Sequence, residues 1–199
     1  MTGMHPTEIK LIEIGKRYAL FALQVAKTYN ERQAELQLDL VLSQTRLETT
    51  EGTQASLDVL SHLDKLTNAH KAAFTKYVGS SSAEFAHALA EMPADLQEKN
   101  RAGLLDSVNR QLEIQSDFYV NRKRWIKAAV DICNLIESRR ATCTFSEGGV
   151  TFADPPDHAQ LESLLAIVEE THRFEMALLE KRLACIAASA SVFSLGAQK

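Results

Sequence analysis

The sequence predicts an all-α fold, an elongated bundle of long antiparallel helices that carries one small β-hairpin at about residues 141–153. Apolar residues recur at helical spacing from Pro6 to about Ala190, and only four prolines and eight glycines occur in the chain to interrupt them. One short stretch before the last helix breaks this periodicity. We therefore expect a single helical domain over residues 1–199, with a hairpin insertion and a frayed tail at residues 191–199.

The first helix is predicted to run from Thr7 to about Thr49. Its apolar face would be formed by Leu11, Ile14, Tyr18, Phe21, Val25 and Tyr29, and, after a polar interval, by Leu36, Leu40 and Leu47. At 1.5 Å per residue such a helix would be roughly 60 Å long. It needs partners along its length, because helices in proteins are held mainly by tertiary packing.

Glycine and serine residues predict the next boundaries. Gly52 is expected to cap the end of the first helix, and a hydroxyl residue shortly after it to begin the second. The Gly-Ser-Ser-Ser run at residues 79–82 should end that second helix. Ser81 followed by Glu84 matches a capping box, which would open a further short helix.

A second long helix and the hairpin follow. Pro93 can close the short helix and open the long one, whose apolar spacing continues through Glu137. The period then changes to two, and Gly148 with Gly149 can supply the tight turn between two strands. Asp154 and two prolines precede the last helix.

The hairpin should pack against the helices. Phe145, Val150 and Phe152 are its large apolar residues. Two isolated strands are at best marginally stable in water, so an ordered hairpin requires another surface to cover it.

Composition restricts the classes of function. The net charge of −4 gives no overall attraction to nucleic acid or anionic membranes. The three cysteines, Cys133, Cys143 and Cys185, are widely spaced and odd in number, which favours a reducing compartment over a disulfide framework or zinc site. The N-terminus lacks a signal-peptide pattern and no apolar run reaches about 18 residues. We expect a cytoplasmic protein; secretion without a cleavable signal is the alternative.

Two Glu-x-x-His steps are the sharpest candidates for chemistry. They are Glu84 with His87, and Glu169 with His172. Carboxylate-bridged di-metal bundles use two such steps because the spacing places both ligands on one helix face. The capping box already explains Glu84, so Glu169 and His172 remain as the weak candidates for metal ligands. The opposing interpretation is a half-buried histidine without metal.

A basic segment is the second candidate. Arg122, Lys123, Arg124 and Lys127 surround Trp125, and basic residues near an aromatic ring can bind phosphates or bases. Trp125 also fits the apolar face of its helix, and acidic residues lie nearby in the sequence. A solvated helix face that contacts a partner is therefore the favoured interpretation of the four cations.

One short segment resembles a known family locally. The sequence of residues 46–60 is similar to helical stretches of outer-membrane efflux channels of the TolC type. The resemblance implies a helical hairpin there, and it covers a small part of the chain. The barrel strands and the repeat of that family are missing, so no family is assigned.

These observations favour a non-enzymatic interaction protein, an adaptor or chaperone-like scaffold that binds a protein partner through extended helical surfaces. No catalytic or nucleotide-binding motif is found, and no catalytic residue or cofactor is assigned. The alternatives are a ferritin-like metal-binding bundle at Glu169 and His172, and an adaptor to nucleic acid or anionic lipid through residues 122–127. Because the predicted first helix is longer than the second can cover, we also expect a homodimer that needs no metal.

Overall fold

Long helices and one hairpin make up the chain in the computed structural model. It describes residues 6–146 and 149–196, with the backbone alone for residues 99, 104, 107 and 182–196. The helices are α1 (Pro6–Glu35), α2 (Gln44–Leu47), α3 (Thr50–Ala90), α4 (Ala94–Ser138) and α5 (Pro155–Gly196), with 3₁₀ turns at Leu38–Leu40 and Arg140–Thr142 and strands β1 (Cys143–Ser146) and β2 (Gly149–Phe152). The predicted all-α class with a single hairpin among these residues is confirmed.

The predicted hairpin is present, with strands at Cys143–Ser146 and Gly149–Phe152. Its antiparallel strands pair Cys143 with Phe152 and Ser146 with Gly149. Gly149 has a φ of 109°, a backbone conformation that glycine adopts without the steric cost of a Cβ. Phe152 is buried, while Phe145 and Val150 are half-buried on the same face of the hairpin. Residues 147 and 148, the predicted turn, lie outside the described residues.

The prediction that one helix runs from Thr7 to Thr49 is wrong, because α1 ends at Glu35. Beyond that residue, apolar side chains alternate at positions 36, 38 and 40, and alternation cannot keep them on one helix face. Gln37 adopts a left-handed φ of 49°, which terminates the helical path. The roughly 60 Å first helix from which we expected a homodimer is therefore not formed.

Gly52 does not cap a helix end, as the sequence had suggested, but lies in the first turn of α3. Thr49 lies immediately before this helix, and its Oγ1 accepts a hydrogen bond of 3.0 Å from the Gly52 amide. A Cβ at Gly52 would lie 2.1 Å from the carbonyl oxygen of Arg46. The glycine is thus required by the close approach of two backbone segments, which the sequence pattern does not reveal.

The predicted break at residues 79–82 is also absent, since α3 is continuous from Thr50 to Ala90. Ser81 is buried, and its Oγ donates a 2.9 Å hydrogen bond to the carbonyl of Val78 instead of capping a new helix. Glu84 accepts a hydrogen bond of 2.8 Å from the Tyr18 hydroxyl. The capping-box prediction is therefore wrong, because both of its side chains have other partners.

The later boundaries agree with the prediction. Pro93 precedes α4, which ends at Ser138, and Pro155 begins α5. Helix α5 is assigned to Gly196, so the predicted fraying of residues 191–199 stays a prediction, and residues 197–199 lie outside the described part. The predicted single domain over residues 1–199 likewise stays a prediction.

Residue contacts divide the chain into two units that both draw on α3 and α4. Unit 1 contains Met1–Leu38 and Ser61–Glu113, and unit 2 contains Asp39–Leu60 and Ile114–Lys199. Each unit has its own buried side chains, and each is described separately below.

In unit 1, α1 packs antiparallel to the second part of α3. Lys10 Nζ lies 2.7 Å from a carboxylate oxygen of Glu91, and the rings of Tyr29 and His70 are 4.6 Å apart. Between these ends the rings of Tyr18, Phe21, Phe74, Tyr77 and Phe85 form an aromatic cluster. Burial raises the pKa of Tyr77 to about 12, so this hydroxyl stays protonated near neutral pH and donates to the backbone carbonyl of Tyr18.

In unit 2, α4 packs antiparallel to α5, and the 39–60 segment packs with them. Val41, Ala129, Cys133 and Ile136 are fully buried there, as is Leu60. Ser56 Oγ donates a 2.7 Å hydrogen bond to the Val41 carbonyl, which joins the irregular chain after α1 to the start of α3.

The two glycines of α3 make a matched pair for testing these corrections. We expect Gly52→Ala to lower the free energy of unfolding by about 2 kcal/mol or more, because the Cβ forces the backbone of Arg46 to move. Gly79→Ala should raise it by about 0.5–1 kcal/mol, since no atom lies within 4 Å of the added Cβ and alanine favours the helix. Urea unfolding of both variants measures the effects; a loss of stability in Gly79→Ala would contradict the continuous helix.

Candidate interaction surfaces

The four cations of the predicted basic surface differ in exposure, and Arg122 is the buried one. Arg122 is only 5% exposed, and its guanidinium forms an ion pair with Glu175 of α5. The same group lies 5.7 Å from the ring centre of Phe118 and 5.9 Å from that of Trp125. Arg122 therefore belongs to the packing between α4 and α5.

The other cations of the segment have partners as well. Arg124 lies 3.0 Å from Glu170 of α5, and Lys127 lies 2.7 Å from Asp131 one helical turn away. Lys123 is half-buried and also has an interaction partner. Pairing of this kind lowers the positive potential that a phosphate-binding surface requires. Partner binding by these four residues stays a prediction.

A buried polar contact fixes α4 against α5. The side-chain amide of Asn121, which is buried, donates a 2.8 Å hydrogen bond to the backbone carbonyl of Thr171. The Thr171 hydroxyl is buried too, and it bonds the carbonyls of Ile167 and Val168 at 2.8 and 2.9 Å. Both buried side chains therefore donate hydrogen bonds within the chain, which stabilises a buried polar contact.

This contact shows which face of α5 is packed. The packed side consists of Asp157, Leu161, Leu164, Val168, Thr171, Glu175 and Leu178. From the sequence, the predicted apolar face of this helix runs through Leu161, Leu165, Val168, His172, Glu175 or Met176, and Leu179. Leu161, Val168 and Glu175 do lie on the packed side, but Leu165, His172 and Leu179 are exposed, because Leu164, Thr171 and Leu178 are packed instead. Both rows repeat at steps of three and four residues, so periodicity alone does not distinguish them.

Glu169 and His172 are both exposed on α5. No group of three or more histidine, cysteine or acidic side chains with metal-site geometry occurs among the described residues. Within the described part of the chain, the side chains of Glu169 and His172 form no hydrogen bond or ion pair. Leu165 (42% exposed), Met176 (47%) and Leu179 (47%) lie on the same side of the helix. This row of residues 165, 169, 172, 176 and 179 is termed the α5 seam below.

An exposed apolar row also runs along α1 in unit 1, termed the α1 stripe below. It consists of Ile9, Ile12, Leu20 and Leu23, with Lys16 and Lys27 between and beyond them. Leu20 is 69% exposed and Leu23 is 60% exposed. At 3.6 residues per turn these positions lie opposite Ile14 and Tyr29, which are buried against α3. Helix α1 therefore has one packed face and one open apolar face.

A shallow depression of about 530 Å³ lies at the base of the hairpin. Arg139, Thr142, Asp154 and Asp157 contribute its polar lining. Two of its charged side chains pair with each other, since Arg139 Nε donates to Asp157 at 2.7 Å. This ion pair makes the depression a structural junction between α4 and α5.

Arg140 makes the densest set of contacts in unit 2. Its guanidinium donates hydrogen bonds to the carbonyl oxygens of Leu47, Glu48 and Thr49 at 3.0, 2.9 and 3.2 Å. It also donates to Thr53 Oγ1 at 2.7 Å and to a carboxylate oxygen of Glu137 at 2.6 Å. The fork of donors on arginine is what allows one side chain to satisfy so many acceptors.

The other oxygen of the Glu137 carboxylate completes this arrangement, termed the Arg140 clamp. Thr50 Oγ1 donates to it at 2.9 Å. The clamp therefore joins α4 and the turn after it to the end of α2 and the start of α3. Hydrogen bonds from Arg140 and Thr50 hold the pKa of the Glu137 carboxyl below its ordinary value of 4.5.

No family description, curated protein or solved structure matches the chain. Among the described residues, no helix is both long enough and apolar enough to cross a membrane.

Removing the Arg140 clamp should destabilise unit 2. We expect Arg140→Ala to lower the free energy of unfolding by about 3 kcal/mol, because several carbonyls and a carboxylate lose a charged donor. Arg140→Lys should recover less than half of this, since a lysine ammonium cannot reproduce the fork. Arg124→Ala, which breaks an exposed ion pair, is the matched control and should cost about 0–1 kcal/mol. Equal losses in the Arg124 and Arg140 alanine variants in urea unfolding would argue against the clamp.

The lowered pKa of Glu137 makes the contribution of the clamp dependent on pH. The ionised carboxylate is bonded in the folded chain, so its contribution is present above the ordinary pKa near 4.5 and is lost as pH falls through the lower folded value. The stability difference between the natural chain and Glu137→Gln should therefore shrink between pH 7 and pH 3. A difference that stays constant over this range would contradict the assignment.

Proposed function

We propose that the protein is a non-enzymatic helical adaptor or scaffold, which binds a protein partner through extended helical surfaces and self-associates as a dimer. The observation that carries this proposal is the α1 stripe. Isolated exposed apolar residues are ordinary, but a row of them on one helix face is typical of an interaction site.

The composition of the α1 stripe indicates the chemistry of the partner. Burying a leucine or isoleucine side chain contributes about 1.5–3 kcal/mol, so a partner helix covering Ile9, Ile12, Leu20 and Leu23 can offset the cost of association. Lys16 and Lys27 lie within the same row. An amphipathic helix with an apolar face and acidic residues beside it is the best complement.

The cysteines support a cytoplasmic setting for this function. Cys133 and Cys143 are both free thiols. Burial raises the pKa of Cys133 to about 11, so this thiol stays protonated and unreactive near neutral pH. Free thiols persist in reducing compartments, which is the basis for proposing the cytoplasm.

The other functions considered from the sequence receive less support. A metal site at Glu169 and His172 would need further ligands from neighbouring helices. A phosphate-binding role for residues 122–127 would need Arg122, Arg124 and Lys127 to leave their acidic partners. The apolar faces need no rearrangement, and the interaction role is therefore the one we propose.

Lysine substitution in the α1 stripe tests this function. The full-length chain, the variant Leu20→Lys/Leu23→Lys and the control Gln24→Lys are used to retain proteins from an extract of the native cell. Gln24 is exposed but lies to the side of the stripe. We expect the natural chain and the control to retain the same defined protein, and the double variant to lose at least about 90% of it, equivalent to about 1.4 kcal/mol.

The substituted side chains are exposed, so the double variant should keep the circular dichroism and melting temperature of the natural chain. An unchanged set of retained proteins in a folded double variant would contradict the proposed role of this surface.

A further inference from the structure

We infer that the α5 seam is the docking surface for a second copy of the chain, which binds antiparallel and pairs each Glu169 with the partner's His172. This inference rests on the proposed function, because it names one partner and the surface that binds it. Three observations support it. Helix α5 carries two rows of side chains, the exposed row contains both an acidic residue and a histidine, and the neighbouring acidic residues are already paired with arginines of α4.

Helix α5 carries two separate heptad rows. The packed row repeats at steps of three and four residues from Asp157 to Leu178 and is covered by the rest of unit 2. The α5 seam repeats at steps of four and three residues from Leu165 to Leu179 and is exposed. Helices with such a repeat pack side chains into the spaces of a facing helix. The α5 seam therefore has the spacing needed to bind another helix of the same type.

Charge selects the direction of that partner helix. In a parallel, in-register pair, Glu169 would face the partner's Glu169, and like charges in one layer are destabilising. In an antiparallel pair Glu169 can face the partner's His172, and the two-fold axis repeats the contact. An imidazole N–H can donate to a carboxylate whether or not the ring is protonated.

The same register pairs the apolar residues of the α5 seam. Leu165 lies opposite the partner's Met176, and Met176 opposite the partner's Leu165. These two layers flank the pair of Glu–His contacts on both sides. Leu179 falls opposite the partner's Glu162 at each end of the contact, where the carboxylate remains near solvent. In this one direction the α5 seam therefore brings Leu165 opposite Met176 and Glu169 opposite His172.

Neighbouring acids on α5 do not compete for His172 of the second copy. Glu170 is paired with Arg124, and Glu175 with Arg122. Glu169, by contrast, has no ion-pair partner among the described residues. Arg173, four residues after Glu169, lies beside the α5 seam and adds positive charge near the paired carboxylates.

Disulfide mapping in the full-length chain tests the direction of docking. Leu165→Cys and Met176→Cys are made separately, and one of them carries an affinity tag. In the proposed register these two positions face each other across the dimer. Two copies of either position would be about 16 Å apart along the axis, too far for a disulfide. We expect a cross-linked dimer in the mixture of variants and at least about tenfold less in either variant alone.

The natural chain, which contains Cys133, Cys143 and Cys185, is oxidised in parallel as the background control, and all samples contain a chelator. Cross-linking of Leu165→Cys with itself as strongly as in the mixture would overturn the antiparallel register. Absence of a cross-link in the mixture, or its appearance only after Zn²⁺ is added, would overturn direct docking through the Glu–His pair.

A charge exchange tests the polar layer independently. Glu169→Arg should weaken dimerisation, measured by light scattering or sedimentation over a concentration series, by about tenfold or more. The double exchange Glu169→His/His172→Glu keeps a complementary pair and should restore most of it. Equal dimerisation in the single and double variants would contradict the pairing.

These outcomes separate the inference from the proposed function. If α5 variants leave dimerisation unchanged while Leu20→Lys/Leu23→Lys still abolishes partner binding, the docking inference fails and the interaction function stands. If the α5 seam variants behave as expected and the α1 variants have no effect on retained proteins, the proposed α1 surface fails instead.

Discussion

The Arg140 clamp is the constraint on which the architecture of unit 2 depends. Helix α2 has only four residues, far fewer than a helix needs to be stable alone in water. Its last carbonyls and the first turn of α3 meet the guanidinium of Arg140, which is fixed in turn by Glu137. The chain turns sharply between α2 and α3, so that the backbone of Gly52 lies close to the backbone of Arg46. A single charged side chain therefore joins the end of α2 and the start of α3 to α4.

The orientation of α5 follows from contacts on the same helix, α4, that carries Glu137. Arg139 binds Asp157 at one end of the α4–α5 pair, and Asn121 binds the Thr171 carbonyl further along. Together these contacts set the rotation of α5 about its own axis. The packed row is turned into unit 2 and the α5 seam is left exposed. The surface that we propose for docking is thus a consequence of these polar contacts.

The sequence predicted the elements that depend on local chemistry. Pro93 and Pro155 start their helices, and glycine allows the positive φ of the hairpin at position 149. It did not predict the features that depend on distant contacts. Gly52 resembles a helix cap until the neighbouring backbone of Arg46 is known. The face of α5 was only partly predicted, because Thr171, although polar, is packed against α4, whereas Leu165 and Leu179 remain exposed. No pattern in the sequence distinguishes Arg140 from the neighbouring cations, because its backbone acceptors lie about 90 residues earlier in the chain.

Amide hydrogen exchange of the natural chain and Arg140→Ala tests the role of the clamp most directly. We expect amides of α2 and of the first turns of α3, residues 44–56, to lose protection by the largest factor, because their local stability depends on Arg140. Amides of α1, which belongs to unit 1, should keep theirs. An unchanged pattern, or an equal loss of protection across α1 and residues 44–56, would contradict the claim that Arg140 holds this segment in place.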